Sequence, residues 1–143
     1  NKRMHPAVRD LLILEFTGLK KDQPSSSVLT HMTTLAKSVK FCMIENSLLS
    51  PAPVNLQGIK PLAYGFKMGS VKVSPEEASP LINKFIKKLG ETNNKIYVKN
   101  VTEKLELDVL TEAAVTYVSG PVVAAPSNKC FDNKSWSPEE ISV

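Results

Sequence analysis

The chain is poor in the residue types on which most metal sites and many enzymes depend. It has two cysteines and two histidines in 143 residues, and the spacing of the cysteines fits no zinc motif. Two cysteines are too few for a disulfide scaffold, so Cys42 and Cys130 either form one bridge or remain thiols. P-loop, dinucleotide-binding and nucleophile-elbow motifs are also missing from the sequence. We therefore expect a protein that is not an enzyme and needs no metal or cofactor.

Long apolar runs are missing too. No stretch approaches the eighteen or more apolar residues that a membrane span needs, and the amino end lacks the order of a signal peptide. This predicts a soluble protein and favours an intracellular over a secreted one. Asn100 and Asn133 each begin an N-glycosylation pattern, so a secreted glycoprotein domain is a lesser alternative. Because the sequence opens on Asn1 and the helix-opening residues 137–140 are followed by only three more, we expect a fragment of a longer protein.

Length and composition predict one domain. With 143 residues and 42% apolar composition, the chain can bury a core of its own but is short for two domains. Polar and basic residues before Pro6 predict a flexible arm over residues 1–7. Proline-bounded, irregular sequence predicts a tail over residues 119–143. The single domain would therefore occupy residues 1–143 with both ends loosely held.

The clearest helix signal covers residues 80–89. Ser79 is a good N-cap, Pro80 suits the first helical position, and Gly90 suits the residue that ends a helix. The apolar residues between them recur at helical spacing and form one stripe: Ile82, Phe85, Ile86 and Leu89. Residues 74–77 also resemble a helix start, but Pro80 would then lie inside the helix. We interpret them as a separate short turn.

The remaining segments predict one further helix and several strands. A serine run before Val28 and a helical apolar stripe predict a helix over residues 28–38. A continuous apolar stretch predicts a strand over residues 8–17, with a short helix as the alternative. Residues 39–44 fit either a helix or a strand, with the strand favoured. Strict alternation predicts strands at 62–68, 71–73, 96–99, 105–109 and 115–117, the last three as an antiparallel meander.

Together these elements predict an α+β fold. We expect an antiparallel or mixed sheet of about five to seven strands, with two main helices, at about 28–38 and 80–89, packed on one of its faces.

Candidate catalytic groups are few and poorly arranged. His31 and Cys42 would lie about 16 Å apart along a continuous helix, which is too far for proton transfer. We therefore interpret them as an exposed helix histidine and a buried thiol. Four carboxylates cluster in the sequence, and we interpret them as the solvated side of a strand and its turns rather than as a metal site: Glu103, Glu106, Asp108 and Glu112.

Lysines offer an alternative function. The net charge of +4 is modest, but lysines on one helix and on nearby strands, with two tyrosines able to stack on bases, form a candidate face for single-stranded RNA. This nucleic-acid site would comprise Lys84, Lys87, Lys88, Lys67, Lys72, Tyr64 and Tyr97, with Lys95 and Lys99 as further basic residues. Arginine, the residue that nucleic-acid sites favour, occurs only at Arg3 and Arg9.

A proline-rich loop is the other candidate site. Residues 46–60 contain few backbone donors and should form an exposed loop, whose partner-binding residues would be Pro51, Pro53 and Val54. The sequence therefore favours a non-catalytic protein-interaction or structural module of a larger protein, which binds another protein or a second copy of itself. RNA binding is the alternative, and a small enzyme is a weaker one.

Overall fold

The computed structural model describes residues 6–19, 24–90 and 95–124. Within them the chain forms four helices and five strands, in the order α1 Pro6–Leu11, β1 Ile13–Phe16, α2 Ser26–Ala36, β2 Phe41–Glu45, β3 Ala63–Lys67, α3 Pro75–Gly90, β4 Lys95–Lys99, α4 Lys104–Glu112 and β5 Tyr117–Val118. The strands lie side by side in sequence order, β1 to β5, and every neighbouring pair is parallel. This is an α/β arrangement.

One face of the sheet is covered by helices. Connections between adjacent parallel strands are right-handed, which places consecutive ones on the same side of a sheet. Burial agrees with this, because alternate strand residues form one core with the inner sides of α2, α3 and α4. Phe66 of β3 and Phe85 of α3 meet edge to face, with ring centroids 5.0 Å apart. We call this side the helix face; its strand residues are Cys42, Ile44, Tyr64, Phe66, Ile96 and Val98.

The predicted α+β fold, with an antiparallel or mixed sheet and two helices, is therefore wrong. The largest error concerns residues 105–109, whose alternation predicted a strand but which form part of α4. In α4 Leu107 and Leu110 are buried while Leu105 is exposed. Glu106 caps the helix by accepting hydrogen bonds from the amides of Thr102 and Glu103, at 2.8 and 3.1 Å. A segment this short can satisfy both the two-residue period of a strand and the 3.6-residue period of a helix. Here the capping contacts of Glu106 favour the helix.

Without a strand at residues 105–109, the predicted antiparallel meander cannot form. Since α4 links β4 to β5, the chain returns to the same end of the sheet and the two strands pair in parallel. Residues 71–73, also predicted as a strand, form bend and loop structure after β3. At the other end of the chain, α1 occupies much of the predicted strand 8–17 and leaves only Ile13–Phe16 extended.

Both main helices are present with different limits. The helix predicted over 28–38 runs from Ser26 to Ala36, capped by the Ser25 hydroxyl, which accepts from the Val28 amide at 3.4 Å. The helix predicted over 80–89 begins at Pro75, so residues 74–77 are its start and not a separate turn. Ser74 and Glu77 exchange hydrogen bonds of 3.0 and 3.3 Å as a capping box. The helix continues through Pro80, although proline there removes one backbone hydrogen bond.

Several predictions concern residues outside the described ranges. They are the arm up to residue 5, the tail from residue 125, the possible partner Cys130 and the glycosylation pattern at Asn133. Of the predicted arm, Pro6 and Ala7 belong to α1.

Truncating Phe85 to alanine should destabilise the fold strongly. Its side chain is fully buried against Phe66, and comparable aromatic deletions cost about 3 to 5 kcal/mol. Lys84→Ala, at the exposed neighbouring position of the same helix, is the matched control and should change stability by less than about 0.5 kcal/mol. Urea unfolding curves measure both. Equal effects of the two substitutions would show that α3 does not bury this stripe.

Candidate functional site

The side of the sheet opposite the helices is the most distinctive surface of the molecule. Its residues alternate with those of the helix face. We call it the open face; its strand residues are Ile13, Glu15, Phe41, Met43, Glu45, Ala63, Gly65, Lys67, Lys95, Tyr97, Lys99 and Tyr117. Three large apolar side chains on its outer strands remain accessible, with Ile13 53%, Phe41 40% and Tyr117 41% exposed, whereas its centre is buried, with Ala63 0% and Tyr97 4% exposed. Parallel sheets are usually buried on both faces, so this exposure needs an explanation.

A charged cluster lies on the open face near the carboxyl ends of the strands. The Lys99 ammonium group is 2.7 Å from Glu15 Oε1 and 2.6 Å from Glu45 Oε2. The Tyr97 hydroxyl donates to the same Glu15 oxygen at 2.7 Å. These four residues, which we call the Lys99 cluster, join β1, β2 and β4. All three charged side chains are less than one third exposed, so solvent screens their attraction only in part.

The bridge from Lys99 to Glu15 shows that the sheet is not flat. Two strands separate β4 from β1, so their backbones would be about 14 Å apart in a flat sheet. Extended lysine and glutamate side chains joined by a hydrogen bond span about the same distance only when they lie in the plane of the sheet. Strand side chains instead stand roughly perpendicular to it. Glu15 is in register with Lys95, so the contact with Lys99 also runs diagonally along the strands. It therefore requires a sheet that is not flat, and the twist of a parallel sheet brings such diagonal positions together.

Gly65 makes room for this arrangement. It pairs in register with Tyr97 on the neighbouring strand, and the Tyr97 ring lies directly over it. A Cβ atom at Gly65 would overlap both the Tyr97 carbonyl oxygen and its ring carbons. Tyr97 is consequently only 4% exposed although it lies on the uncovered side of the sheet. Because Gly65 has no side chain, the Tyr97 ring can lie across β3 and reach Glu15.

The cluster shifts the protonation equilibria of two of its members. Burial raises the pKa of Tyr97, and the hydrogen bond to Glu15 and the charges of Glu15 and Glu45 raise it further. Burial works to lower the pKa of Lys99, but its hydrogen bonds to the two carboxylates and their charges outweigh burial, and the net shift is upward. Both groups stay protonated well above neutral pH. They are therefore suited to holding the strands and not to accepting protons near pH 7.

Two shallow depressions border the cluster. The first, about 200 Å³, lies on the open face beside Glu15, Met43, Tyr97, Lys99, Tyr117 and Ser119. The second, about 220 Å³, lies where β2 and β3 end, beside Leu19, Glu45, Asn46, Ser47, Lys67 and Ser70. Ligand sites of α/β proteins occur at this carboxyl end of a parallel sheet. Among the described residues, no group of three potential metal-ligating side chains is close enough to hold an ion.

The predicted nucleic-acid residues fall on different surfaces. Lys84, Lys87 and Lys88 are exposed on α3, on the helix side of the sheet, and Lys72 is exposed after β3. Lys67 and Tyr97 lie on the open face instead. Tyr64 belongs to the helix face and is 3% exposed, with its hydroxyl bonded to the Val54 backbone. Neither tyrosine presents an open ring for stacking, and RNA binding stays a prediction.

The predicted partner-binding loop is held against the protein body. Pro51 and Val54 are buried, and Pro53 alone of the three predicted residues is exposed. The Asn46 side chain fixes the loop by donating to the Ala52 carbonyl at 2.5 Å and accepting from the Ala52 amide at 3.3 Å. These contacts give the loop a structural role.

His31 and Cys42, interpreted from the sequence as an exposed helix histidine and a buried thiol, lie in different environments. His31 is exposed on α2, whereas Cys42 is buried on the helix face of β2. Burial raises the pKa of the Cys42 thiol, which disfavours the reactive thiolate.

The residues of the Lys99 cluster were difficult to find in the sequence. Glu15 and Glu45 have no role in the sequence predictions, and Lys99 enters only as one of several surface lysines. The available signal was a single charged residue at or near the end of each of three apolar strands. It becomes informative only when the strands are known to be parallel, because their carboxyl ends then meet at one edge.

Comparisons of the chain with protein-family models, with curated proteins and with solved structures each find no match. In the described part of the chain, no helix has both the length and the apolar character required to cross a membrane. The function must therefore be argued from the geometry.

Replacing Lys99 with glutamine should destabilise the protein by roughly 1 to 3 kcal/mol at pH 7, between the values typical of exposed and buried ion pairs. The substitution leaves Glu15 and Glu45 close together without their shared cation. Lys67→Gln is the control, since Lys67 lies on the same face and is exposed. It should cost less than about 0.5 kcal/mol by chemical unfolding. A neutral Lys99→Gln would contradict the structural role of the cluster.

Replacing Tyr97 with phenylalanine should lower the stability of the fold by an amount that depends on pH. The raised pKa of Tyr97 means that its contribution is fully present below the unfolded value of 10.0 and is lost as pH rises through the folded value. The stability difference between wild type and Tyr97→Phe should be constant from pH 6 to 9, at about 1.5 to 3 kcal/mol for a hydrogen bond to a charged group. It should shrink above pH 10. A difference that stays constant to pH 11 would contradict the buried hydroxyl.

Proposed function

We propose that the protein is a non-catalytic protein-interaction module of a larger protein, and that the open face is its binding surface. One observation carries the proposal. An all-parallel sheet, covered by helices on one side, leaves large apolar side chains accessible on the other. Exposed apolar surface framed by charged residues is typical of protein-binding sites. The partner is accordingly a protein that covers the open face.

The apolar residues of the open face supply the binding energy. Burying a large apolar side chain completely contributes about 1.5 to 3 kcal/mol. Since Ile13, Phe41 and Tyr117 are roughly half exposed, covering all three makes available about half of that per residue. Few residues carry most of the energy of an interface, and aromatic ones are prominent among them.

The charges of the Lys99 cluster suit a surface that becomes buried. An unpaired charge covered by a partner costs several kcal/mol. Lys99 already bridges Glu15 and Glu45 within the chain, so a partner can cover these groups without leaving Lys99 unpaired. The raised pKa values of Tyr97 and Lys99 also favour a structural over a catalytic role.

A photo-crosslinking amino acid at position 41 should test the proposal. Placed at Phe41 on the open face, it should form adducts with another protein in cells that express this chain. The control position is Leu35, which is 52% exposed on α2 and of comparable apolar character. We expect adducts at position 41 at several times the yield at position 35. Equal yields, or none at position 41, would contradict binding through the open face.

A further inference from the structure

Basic residues collect at one end of the sheet. Because α2, α3 and α4 each return the chain to the start of the next strand, their last turns lie beside the amino ends of the strands. We call this side of the molecule the basic end. In the described residues, the last turns of these helices contain one acidic residue, Glu112. The exposed lysines in or directly after those turns, and at or directly before the strand starts, are Lys37, Lys40, Lys87, Lys88 and Lys95.

Acidic residues predominate at the carboxyl end of the sheet. Glu76 and Glu77 occupy the first turn of α3, and Glu106 occupies the first turn of α4. Glu15 and Glu45 of the Lys99 cluster lie at or near the ends of their strands. The positive charge of the described chain is thus concentrated at the basic end, and a charge distribution of this kind attracts polyanions to that end.

Apolar side chains protrude from the basic end where α1 leads into β1. Leu11 is 84% exposed, the highest value among the large apolar side chains described. Leu11 and Leu12 lie three and four residues after Val8, which places the three side chains on one side of a helical turn. Phe41 begins the neighbouring strand, and the Lys40 ammonium group lies over its ring, 5.4 Å from the centroid.

The apolar stripe of α1 has no contact with the core. The helix is six residues long, and its residues 7–11 are all exposed. Asp10 lies 3.5 Å from Arg9 and offsets its charge, so α1 adds an apolar surface and little net charge. Isolated helices shorter than about 12 residues are marginal in water, and helices in proteins gain most of their stability by packing an apolar side. The stripe formed by Val8, Leu11 and Leu12 therefore calls for a covering surface.

We propose that the basic end binds the surface of an anionic lipid bilayer. This inference goes beyond the proposed function and concerns a different side of the molecule. Leu11 and its apolar neighbours would enter the boundary between headgroups and acyl chains, as the apolar sides of interfacial helices do. The lysines around them would contact the negatively charged headgroups, and their aliphatic stems can lie along apolar surface while the ammonium groups stay in water.

The protruding leucines favour lipid over nucleic acid as the anionic partner. Phosphate groups of either would attract the lysines of the basic end. Single-stranded RNA is bound largely by stacking its bases on aromatic rings, and it would leave Leu11 and Leu12 in contact with water. A bilayer satisfies both features of this surface, because it offers an apolar layer directly beneath a negatively charged one.

Co-sedimentation with lipid vesicles tests the proposal on the 143-residue chain. Vesicles of phosphatidylcholine with about 30% phosphatidylserine are compared with vesicles of phosphatidylcholine alone, at about 0.1 M and about 0.5 M NaCl. We expect at least about tenfold stronger partitioning onto the anionic vesicles at the lower salt concentration. Most of this preference should be lost at the higher one, because salt screens the attraction.

A leucine substitution tests whether apolar side chains enter the bilayer. Leu11→Gln should weaken partitioning onto anionic vesicles by about tenfold, since it removes the most exposed apolar side chain of the basic end. Leu105→Gln is the matched control, because Leu105 is 50% exposed near the start of α4, at the carboxyl end of the sheet. The control should change partitioning by less than about twofold.

A double lysine substitution tests the electrostatic part. Lys37→Gln combined with Lys40→Gln should weaken partitioning onto anionic vesicles by at least about tenfold, since each lysine near such a surface contributes about fivefold. Lys67→Gln combined with Lys72→Gln removes two exposed lysines that lie at and beyond the carboxyl end of β3. This control should again change partitioning by less than about twofold.

Absence of partitioning onto anionic vesicles at about 1 mM lipid would overturn the proposal. Equal weakening by the variants of the basic end and by their controls would overturn it as well. If the double lysine variant lost binding while Leu11→Gln bound like wild type, the surface would be a general polyanion site, and titration with single-stranded RNA would then identify nucleic acid as the partner. Phe41, the crosslinking position, is unchanged in every variant, so failure of vesicle binding leaves the proposed function intact.

Discussion

The ion-pair bridge from Lys99 to Glu15 and Glu45 is the interaction on which the rest of the structure depends. It joins strands that are not neighbours, and it can form only in a sheet that is not flat. Without Lys99 two carboxylates would lie close together at the carboxyl edge of the sheet. The bridge therefore combines two roles, since it satisfies the charges of the open face and fixes the non-flat shape of the sheet.

The two faces of the sheet have different roles. The helix face stabilises the fold, and the open face is the proposed binding surface. The helix face holds the core, where Phe66 and Phe85 pack edge to face and large side chains are fully buried. The open face holds polar contacts that shape a surface, with Gly65 giving the Tyr97 ring room to reach Glu15. Parallel sheets are usually covered on both faces, and the open face has accessible apolar residues at Ile13, Phe41 and Tyr117. This exposure links the fold to the proposed interaction.

The sequence located α2 well, but it misplaced the start of α3, did not predict α1 and α4, and indicated the wrong strand pairing. Capping residues such as Ser25 located α2 to within two residues, because caps act locally. Residues 105–109 satisfy both the strand and the helix period, and their alternation predicted a strand where the structure has a helix capped by Glu106. Once that helix was missed, an antiparallel meander followed. The Lys99 cluster could not be predicted from the sequence, because Glu15 and Lys99 are brought together only by the parallel pairing of the strands and by the non-flat shape of the sheet.

The protonated amine of Lys99 offers the most direct test of this account. In uniformly labelled protein, nuclear magnetic resonance detects lysine ammonium groups that exchange slowly with water, together with scalar couplings through their hydrogen bonds to carboxylate carbons. We predict a slowly exchanging Lys99 ammonium near neutral pH, coupled to the side-chain carboxyl carbons of both Glu15 and Glu45. An ammonium that exchanges as fast as that of exposed Lys67, without either coupling, would contradict the bridge and with it the non-flat shape of the sheet.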